Sequence, residues 1–330
     1  MIKPERLHPG DTVAVVSLSA GLLGEDEYEE LFCRAKERLE ECFGLHVVTM
    51  PHTLSGNDYI YEHPWDRAQD LMDAFRDPDI KGIISAMGGD DTIRLLPYID
   101  FDVIRQNPKI FTGFSDTTTN HLMMYHAGLV SYYAPDYQTF AAFEEPDDYT
   151  FDAVERVFFR AQGRFQIRPC GYYYKEEERV DDETGYELLQ GSGTVRGRLL
   201  GGCLEAFFMS IGTKIWPKPW EWDGKMLFLE ISNDCPQPQQ VLYYLRNLGA
   251  QGILQHAAGI LFGKPFRNVF YQEYKDVILQ AMYEFQCQDT PVLYNVNFGH
   301  QAPINVIPYG ILCELNADRK RITLLEKAVK

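Results

Sequence analysis

At 330 residues the chain is longer than one hydrophobic core usually organises, so two domains are expected. Hydrophobic residues make up 45% and charged residues 24%, an ordinary soluble globular balance. The 31 Lys and Arg against 48 Asp and Glu leave a net charge of −17, a field that repels phosphate backbones and anionic lipid heads and argues against nucleic acid as a partner.

A local pocket can still accept a small anionic substrate. No run approaches the roughly 18 apolar residues a spanning helix needs, which excludes one. Seven cysteines without a C-x-x-C pair suit reduced thiols. The opening MIKPERLHPGDTVAVVSLSA has no long apolar stretch behind a basic region, so it does not read as a secretory signal and the cytoplasm is expected.

In chain order, residues 12–18 (TVAVVSL) are rich in β-branched side chains and read as a buried strand. Residues 25–43 carry Tyr28, Leu31, Phe32, Ala35 and Leu39 at helical spacing. A strand over 45–50 follows, then a helix over 65–75 with Pro78 beyond its end. Residues 82–87 (GIISAM) are a third strand, and Gly88-Gly89-Asp90-Asp91 opens a helix that runs through Leu96. Residues 110–114 form a fourth strand, and a helix from about Asp116 to Ala127 is ended by Gly128. Such alternation builds a parallel sheet covered by helices. Ligands collect at the carboxyl ends of its strands, so residues 17–20, 88–91 and 113–117 are expected on one rim.

Composition turns polar near Gly163, and residues 163–195 read as an interdomain connection with a hairpin. Beyond it, strands are expected at 226–231, 259–262, 292–295 and 310–315, with helices at 203–211, 239–248 and 271–285. The end, ILCELNADRKRITLLE, reads as a β-hairpin around 317–319.

The sharpest chemical signal is Phe111-Thr-Gly-Phe-Ser115-Asp-Thr-Thr, where a strand runs into Gly113 and a helix begins just after Ser115. A nucleophile on such a turn is lifted out of the sheet, and the first helical N–H groups point at negative charge forming beside it. Helix capping by Ser, Asp and Thr is the competing reading, because Thr117 stands where G-x-S-x-G has its second glycine. A serine nucleophile needs a base. Of eight histidines, His121 and His126 travel away with the helix, while His8, His46, His52 and His63 sit at N-terminal element boundaries and His256 just ahead of a strand. His300 lies in the Gly- and Pro-bounded loop NFGHQAP after a strand, a place that suits a catalytic side chain, although the pattern alone favours a solvated loop histidine.

An acid must orient the imidazole. Glu230 ends the apolar run MLFLE, where a carboxylate is costly to bury unpaired; Asp234, Glu205 and Asp136 compete with it. Gly88, Asp90 and Asp91 suit the shaping of a substrate pocket better than phosphate binding, since two carboxylates oppose a phosphate. The aromatic stretch Trp216 to Trp222 suits packing or stacking on a base. No H-E-x-x-H, cysteine cluster or full G-x-G-x-x-G appears, so neither a metal nor a dinucleotide cofactor is expected.

Taken together, LHPGDTVAVVSLSA, MGGDD with LLPYIDFD behind it, NPKIFTGFSDTT, GRLLGGCLEAF, WDGKMLFLEIS, GILFGKP and NFGHQAP resemble the LD-carboxypeptidases over nearly the whole chain. These are serine peptidases with a Ser-Glu-His triad, and the likeness is greatest to the branch that includes the microcin C self-immunity peptidase. The resemblance implies Ser115 as nucleophile, Glu230 as acid and His300 as base, with an oxyanion hole from the backbone N–H groups of Asp116 and Gly89. It implies an α/β fold: a Rossmann/flavodoxin-like parallel-sheet domain over 1–165, a connection over 166–190 and a smaller mixed, β-rich domain over 191–330 that supplies the acid and base. The connection, Tyr172 to Tyr174 included, is where that branch recognises substrate. A homodimer is implied as well. The expected substrate is a small peptide-like molecule, either a murein LD-tetrapeptide or a microcin C-type peptidyl- or aminoacyl-nucleotide. A non-catalytic two-lobed binder of a small molecule is the alternative. A histidine base predicts activity rising through about pH 6 to 7.

Overall fold

The computed structural model describes residues 1–176 and 178–330. The chain forms two compact units of nearly equal length, Met1–Ala161 with Ala328–Lys330, and Gln162–Lys327. The second is therefore not the smaller one.

In the first unit the elements run β1 (Thr12–Val16), α1 (Glu29–Phe43), β2 (His46–Thr49), α2 (Asn57–Glu62), α3 (Pro64–Arg76), β3 (Ile80–Ser85), α4 (Phe101–Gln106), β4 (Ile110–Gly113), α5 (Thr117–Ala127), β5 (Tyr132–Tyr133) and α6 (Asp148–Val154). The five strands pair in parallel in the order β2-β1-β3-β4-β5. That order reverses direction between β1 and β3, the switch point at which open α/β sheets hold ligands. Val13 to Val16, Ile83 and Phe111 are fully buried, as expected for strands covered by helices. Gly44 and Gly128 end α1 and α5 in the left-handed conformation, which costs glycine no Cβ clash. The expected helix after Asp91 is a 3-10 turn, Thr92–Tyr98, because Pro97 removes a donor that a longer α-helix needs.

The second unit holds an eight-stranded sheet. Its elements are β6 (Phe165–Ile167), β7 (Tyr172–Lys175), β8 (Glu178–Asp181), β9 (Glu187–Gln190), β10 (Thr194–Cys203), α7 (Leu204–Ser210), β11 (Lys225–Glu230), α8 (Pro238–Ala250), α9 (Ile253–His256), β12 (Gly259–Gly263), α10 (Tyr271–Glu284), β13 (Val292–Val296), the two-residue β14 (Ile307–Pro308), β15 (Leu312–Asn316) and β16 (Arg321–Leu324). Strands order β6-β16-β15-β10-β11-β12-β13-β9. The four central ones, β10 to β13, run parallel, and β15 and β9 flank them antiparallel. Residues 163–195, read as a connection, instead supply two strands of this sheet and the separate β7–β8 hairpin.

Strand β10 went unrecognised because GRLLGGC places three glycines in a strand. Two of them have a packing reason: a Cβ at Gly197 would meet the Met226 nitrogen at 2.5 Å, and one at Gly201 would overlap the Phe228 backbone. Helices α7, α8 and α10 connect the parallel strands, so the carboxyl ends of β10 to β13 share one rim. That rim carries Cys203, Glu230, Lys264 and the loop ending at His300.

Candidate active site

On the rim of the first unit, Ser115 occupies the turn between β4 and α5 with φ 62. A left-handed backbone at a non-glycine residue costs about 1–3 kcal/mol and persists only where its surroundings impose it. The surroundings are visible. The Ser115 N–H donates to the Tyr133 hydroxyl at 3.1 Å, and its carbonyl accepts from Thr118 N–H at 2.9 Å. Serine alone at this point is compatible with capping; a half-buried serine held in the left-handed region is the geometry of a presented hydroxyl.

The three expected loops do meet. Asp116, buried, accepts from the Ser19 hydroxyl at 2.7 Å and from Thr92 N–H at 2.9 Å through the same oxygen. Burial raises its carboxyl above the usual range, against those two hydrogen bonds, which lower it. Its carboxylate thus fastens the turns after β1 and β3 to the helix start after β4. Gly88 lies so close to Ser115 that an added Cβ would stand 2.8 Å from the Ser115 Cβ and 2.9 Å from its Oγ. At Gly89 a Cβ would collide with the Ser19 hydroxyl. Gly88→Ala is therefore expected to leave the fold intact but displace the Ser115 side chain by several tenths of an ångström; a crystal structure of the variant with Ser115 unmoved would show that the turn yields elsewhere.

Asp90 is exposed, whereas Asp91 is tied down. The guanidinium of Arg67, fully buried, donates to Asp91 Oδ1 at 2.7 Å, to Asp91 Oδ2 at 3.2 Å, and to the carbonyls of Leu18 and Ser19. Arg94 adds a bond to Asp91 at 2.9 Å. Asp91 so acts as an anchor of the rim loops. Arg67 was missed by sequence reasoning because it lies on α3, 24 residues away, with nothing local to mark it.

His121 is fully buried beneath the turn. Its Nε2 lies 2.9 Å from Gly113 O, which can only accept, so Nε2 carries the proton and Nδ1 accepts from the Ser131 hydroxyl at 2.9 Å. Burial pushes its pKa down from 6.5 to about 3, partly offset by the Gly113 bond. In that window the unfolded chain binds a proton that folded His121 refuses. Stability is fully present above pH 6.5 and is lost as pH falls toward 3, by up to about 1.4 kcal/mol per unit. Urea unfolding followed across this window should show a slope one proton shallower in His121→Gln; an unchanged slope would mean the imidazole is charged in the fold.

In the second unit Glu230 closes β11 and is buried. His300 Nδ1 lies 2.8 Å from Glu230 Oε2, and the His300 N–H points at the same oxygen at 3.4 Å. Gly299 makes this approach feasible: it has φ 89, and a Cβ there would sit 2.5 Å from that carboxylate oxygen. Three other histidines also face carboxylates, His8 with Asp11 at 3.6 Å, His52 with Asp70 at 2.9 Å and His256 with Asp223. Burial separates them. The His256 pair is 58% and 59% exposed, His8 is 56% and His52 30% exposed, against 8% and 1% for His300 and Glu230. Two of the three competing acids have other work: Asp136 accepts from the Thr139 N–H and hydroxyl, and Glu205 from the Ser232 N–H and hydroxyl.

The His300 loop is fastened to the β7–β8 hairpin. Tyr174 N–H donates to Ala302 O at 3.1 Å, and the buried Gln301 donates to Tyr174 O at 2.8 Å. Lys264, buried on the same rim, pairs with Asp182 and lies 4.5 Å from the Tyr173 ring centre. Burial raises the Asp182 carboxyl, but the Lys264 bond prevails and holds it below its usual range. Trp216 and Trp222 pack against each other and Phe207, while Trp220 is exposed.

A sequence profile of the LD-carboxypeptidase N-terminal domain matches residues 13–134, and one of the C-terminal domain matches 196–315. The chain belongs to the LD-carboxypeptidase family. Among relatives of this LD-carboxypeptidase family member, a Bacillus subtilis protein named as a probable murein peptide carboxypeptidase is 29% identical over 96% of this chain and 92% of its own. The Escherichia coli microcin C7 self-immunity protein MccF is 27% identical over 79% of this chain and 78% of its own. The crystal structure of an MccF-like protein from Streptococcus pneumoniae in complex with AMP superposes with a TM-score of 0.87 at 33% identity, covering 96% of this chain and 98% of that one. Among the described residues, no helix of this family member is long and apolar enough to cross a membrane.

Proposed function

We propose that the chain is a serine-type carboxypeptidase that hydrolyses an amide bond near the C-terminus of a small peptide-like substrate. The observation that carries this reading is the buried Glu230–His300 hydrogen bond. A carboxylate only accepts, so Nδ1 donates to it and the proton-free Nε2 is left as a base. In the proposed reaction His300 Nε2 takes the Ser115 proton and Ser115 Oγ attacks the amide carbonyl. The N–H groups of Asp116, at the start of α5, and of Gly89, in the loop after β3, hold the oxyanion. His300 then passes its proton to the leaving amine, and water frees the acyl group.

Two substrate classes are supported by relatives, one named for murein peptides and one solved with AMP. A murein tetrapeptide and an aminoacyl-sulfamoyl nucleotide assayed side by side decide between them. A fluorophosphonate probe is expected to label Ser115. Absence of labelling together with absence of cleavage of either substrate would turn the reading to a non-catalytic binder.

A further inference from the structure

Cys203 takes no part in the chemistry above, yet the sheet sets it beside Glu230. The two are partners in the β10–β11 register, so their side chains leave the same face at the carboxyl ends of adjacent strands. Cys203 Sγ, a Glu230 oxygen and an imidazole nitrogen of His300 all lie within 4.8 Å of one another. Cys203 and Glu230 are buried, and the His300 side chain is 8% exposed. On its other side the Cys203 thiol donates to Glu205 Oε2 at 3.2 Å. Two carboxylates thus flank one thiol and one imidazole, an arrangement short of positive charge. Thiolate, imidazole and carboxylate together are the donor set of zinc and its heavier congener cadmium, whereas magnesium and calcium prefer oxygen alone. No motif marks the cluster because its members come from positions 203, 230 and 300.

We propose that Cys203, Glu230 and His300 form an inhibitory site for a thiophilic divalent cation, zinc or cadmium. Binding breaks the Cys203 S–H bond, and the proton passes to the Glu205 oxygen that already accepts from it and on to solvent. The His300 proton moves from Nδ1 to Nε2, and Nδ1 takes up the metal. With Nε2 protonated, the imidazole can no longer accept the Ser115 proton. Burial first, then the charges of Glu230 and Glu205, hold the thiol well above its ordinary pKa, so the metal competes with a proton and affinity rises about tenfold per pH unit.

Metal binding stands independently of the peptidase reading; only its inhibitory consequence rests on that reading. The test uses the full chain with Cys33, Cys42 and Cys235, the cysteines that are not buried, replaced by serine. One equivalent of cadmium is expected to produce the ultraviolet thiolate-to-cadmium band and release one proton. Cys203→Ser, nearly isosteric and so compatible with the fold, should lose both signals, and His300→Ala should weaken binding at least tenfold. No band in the background protein, or a band that survives Cys203→Ser, overturns the site. Where hydrolysis is measurable, it should stop at the same equivalence and resume with EDTA; full-rate hydrolysis by the cadmium-loaded protein overturns the inhibitory role. A band in a protein that hydrolyses nothing refutes the peptidase reading while upholding the metal site.

Discussion

Ser115→Ala is expected to lower kcat by about 10⁴-fold or more while the protein folds and melts as before. Loss of the proposed nucleophile leaves only binding and oxyanion stabilisation, which is why the drop is that large and why it falls on kcat. The stability half of the expectation comes from the backbone. At φ 62 alanine pays the same left-handed penalty as serine, and the N–H to Tyr133 and the carbonyl to Thr118 are untouched. Ser115→Gly, equally inactive, is expected to unfold no earlier than wild type, since glycine adopts this conformation freely. Single-turnover kinetics and a thermal melt on both variants read the two halves separately. Near-normal turnover by Ser115→Ala would remove this hydroxyl from the chemistry.

The largest stability effect is expected at Arg67. Methionine there keeps the bulk of the stem but removes four hydrogen bonds, those to Leu18 O, Ser19 O and both Asp91 oxygens. Breaking a buried pair by deleting one partner typically costs about 3–5 kcal/mol. The lower end applies, because Arg94 still neutralises Asp91. The double variant Arg67→Met/Asp91→Leu should recover part of the loss, since the stranded carboxylate goes with its partner. Equilibrium denaturation gives the cycle directly. A loss below about 1 kcal/mol for Arg67→Met would mean that the rim loops hold their positions without it.

Much of the first unit was legible because its strands and helices carry local signals. The β-branched run at Thr12–Val16, the helical spacing through Glu29–Phe43 and the glycine after Ala127 each follow from residues close in sequence. The rim was legible for the same reason: β/α alternation dictates where the loops must gather. In the second unit the local signals mislead. Glycines at 197, 201 and 202 argue against a strand, yet β10 is a central one, because the neighbouring backbone comes too near for side chains at 197 and 201. Residues 165–167 and 187–190 are short and polar-flanked, and only pairing at the two edges of the sheet makes strands of them.

The site divides along the same line. Ser115 stood out from its strand–turn–helix setting, but its left-handed φ is imposed by packing against Gly88 and Tyr133, which no window of sequence contains. His300 and Glu230 were each one candidate among several, and what singles them out is a hydrogen bond across 70 residues inside a buried rim. Arg67 and Cys203 had no local mark at all. The sequence alone determined strands β1 to β4 and helices α1, α3 and α5 of the first unit, and which motif is the candidate for a nucleophile. Those outcomes follow from propensity and periodicity, properties of neighbouring residues. The tertiary structure decided which carboxylate meets which imidazole, which arginine is buried and which glycines are indispensable, because burial and hydrogen bonding are set by groups that only the folded chain brings together.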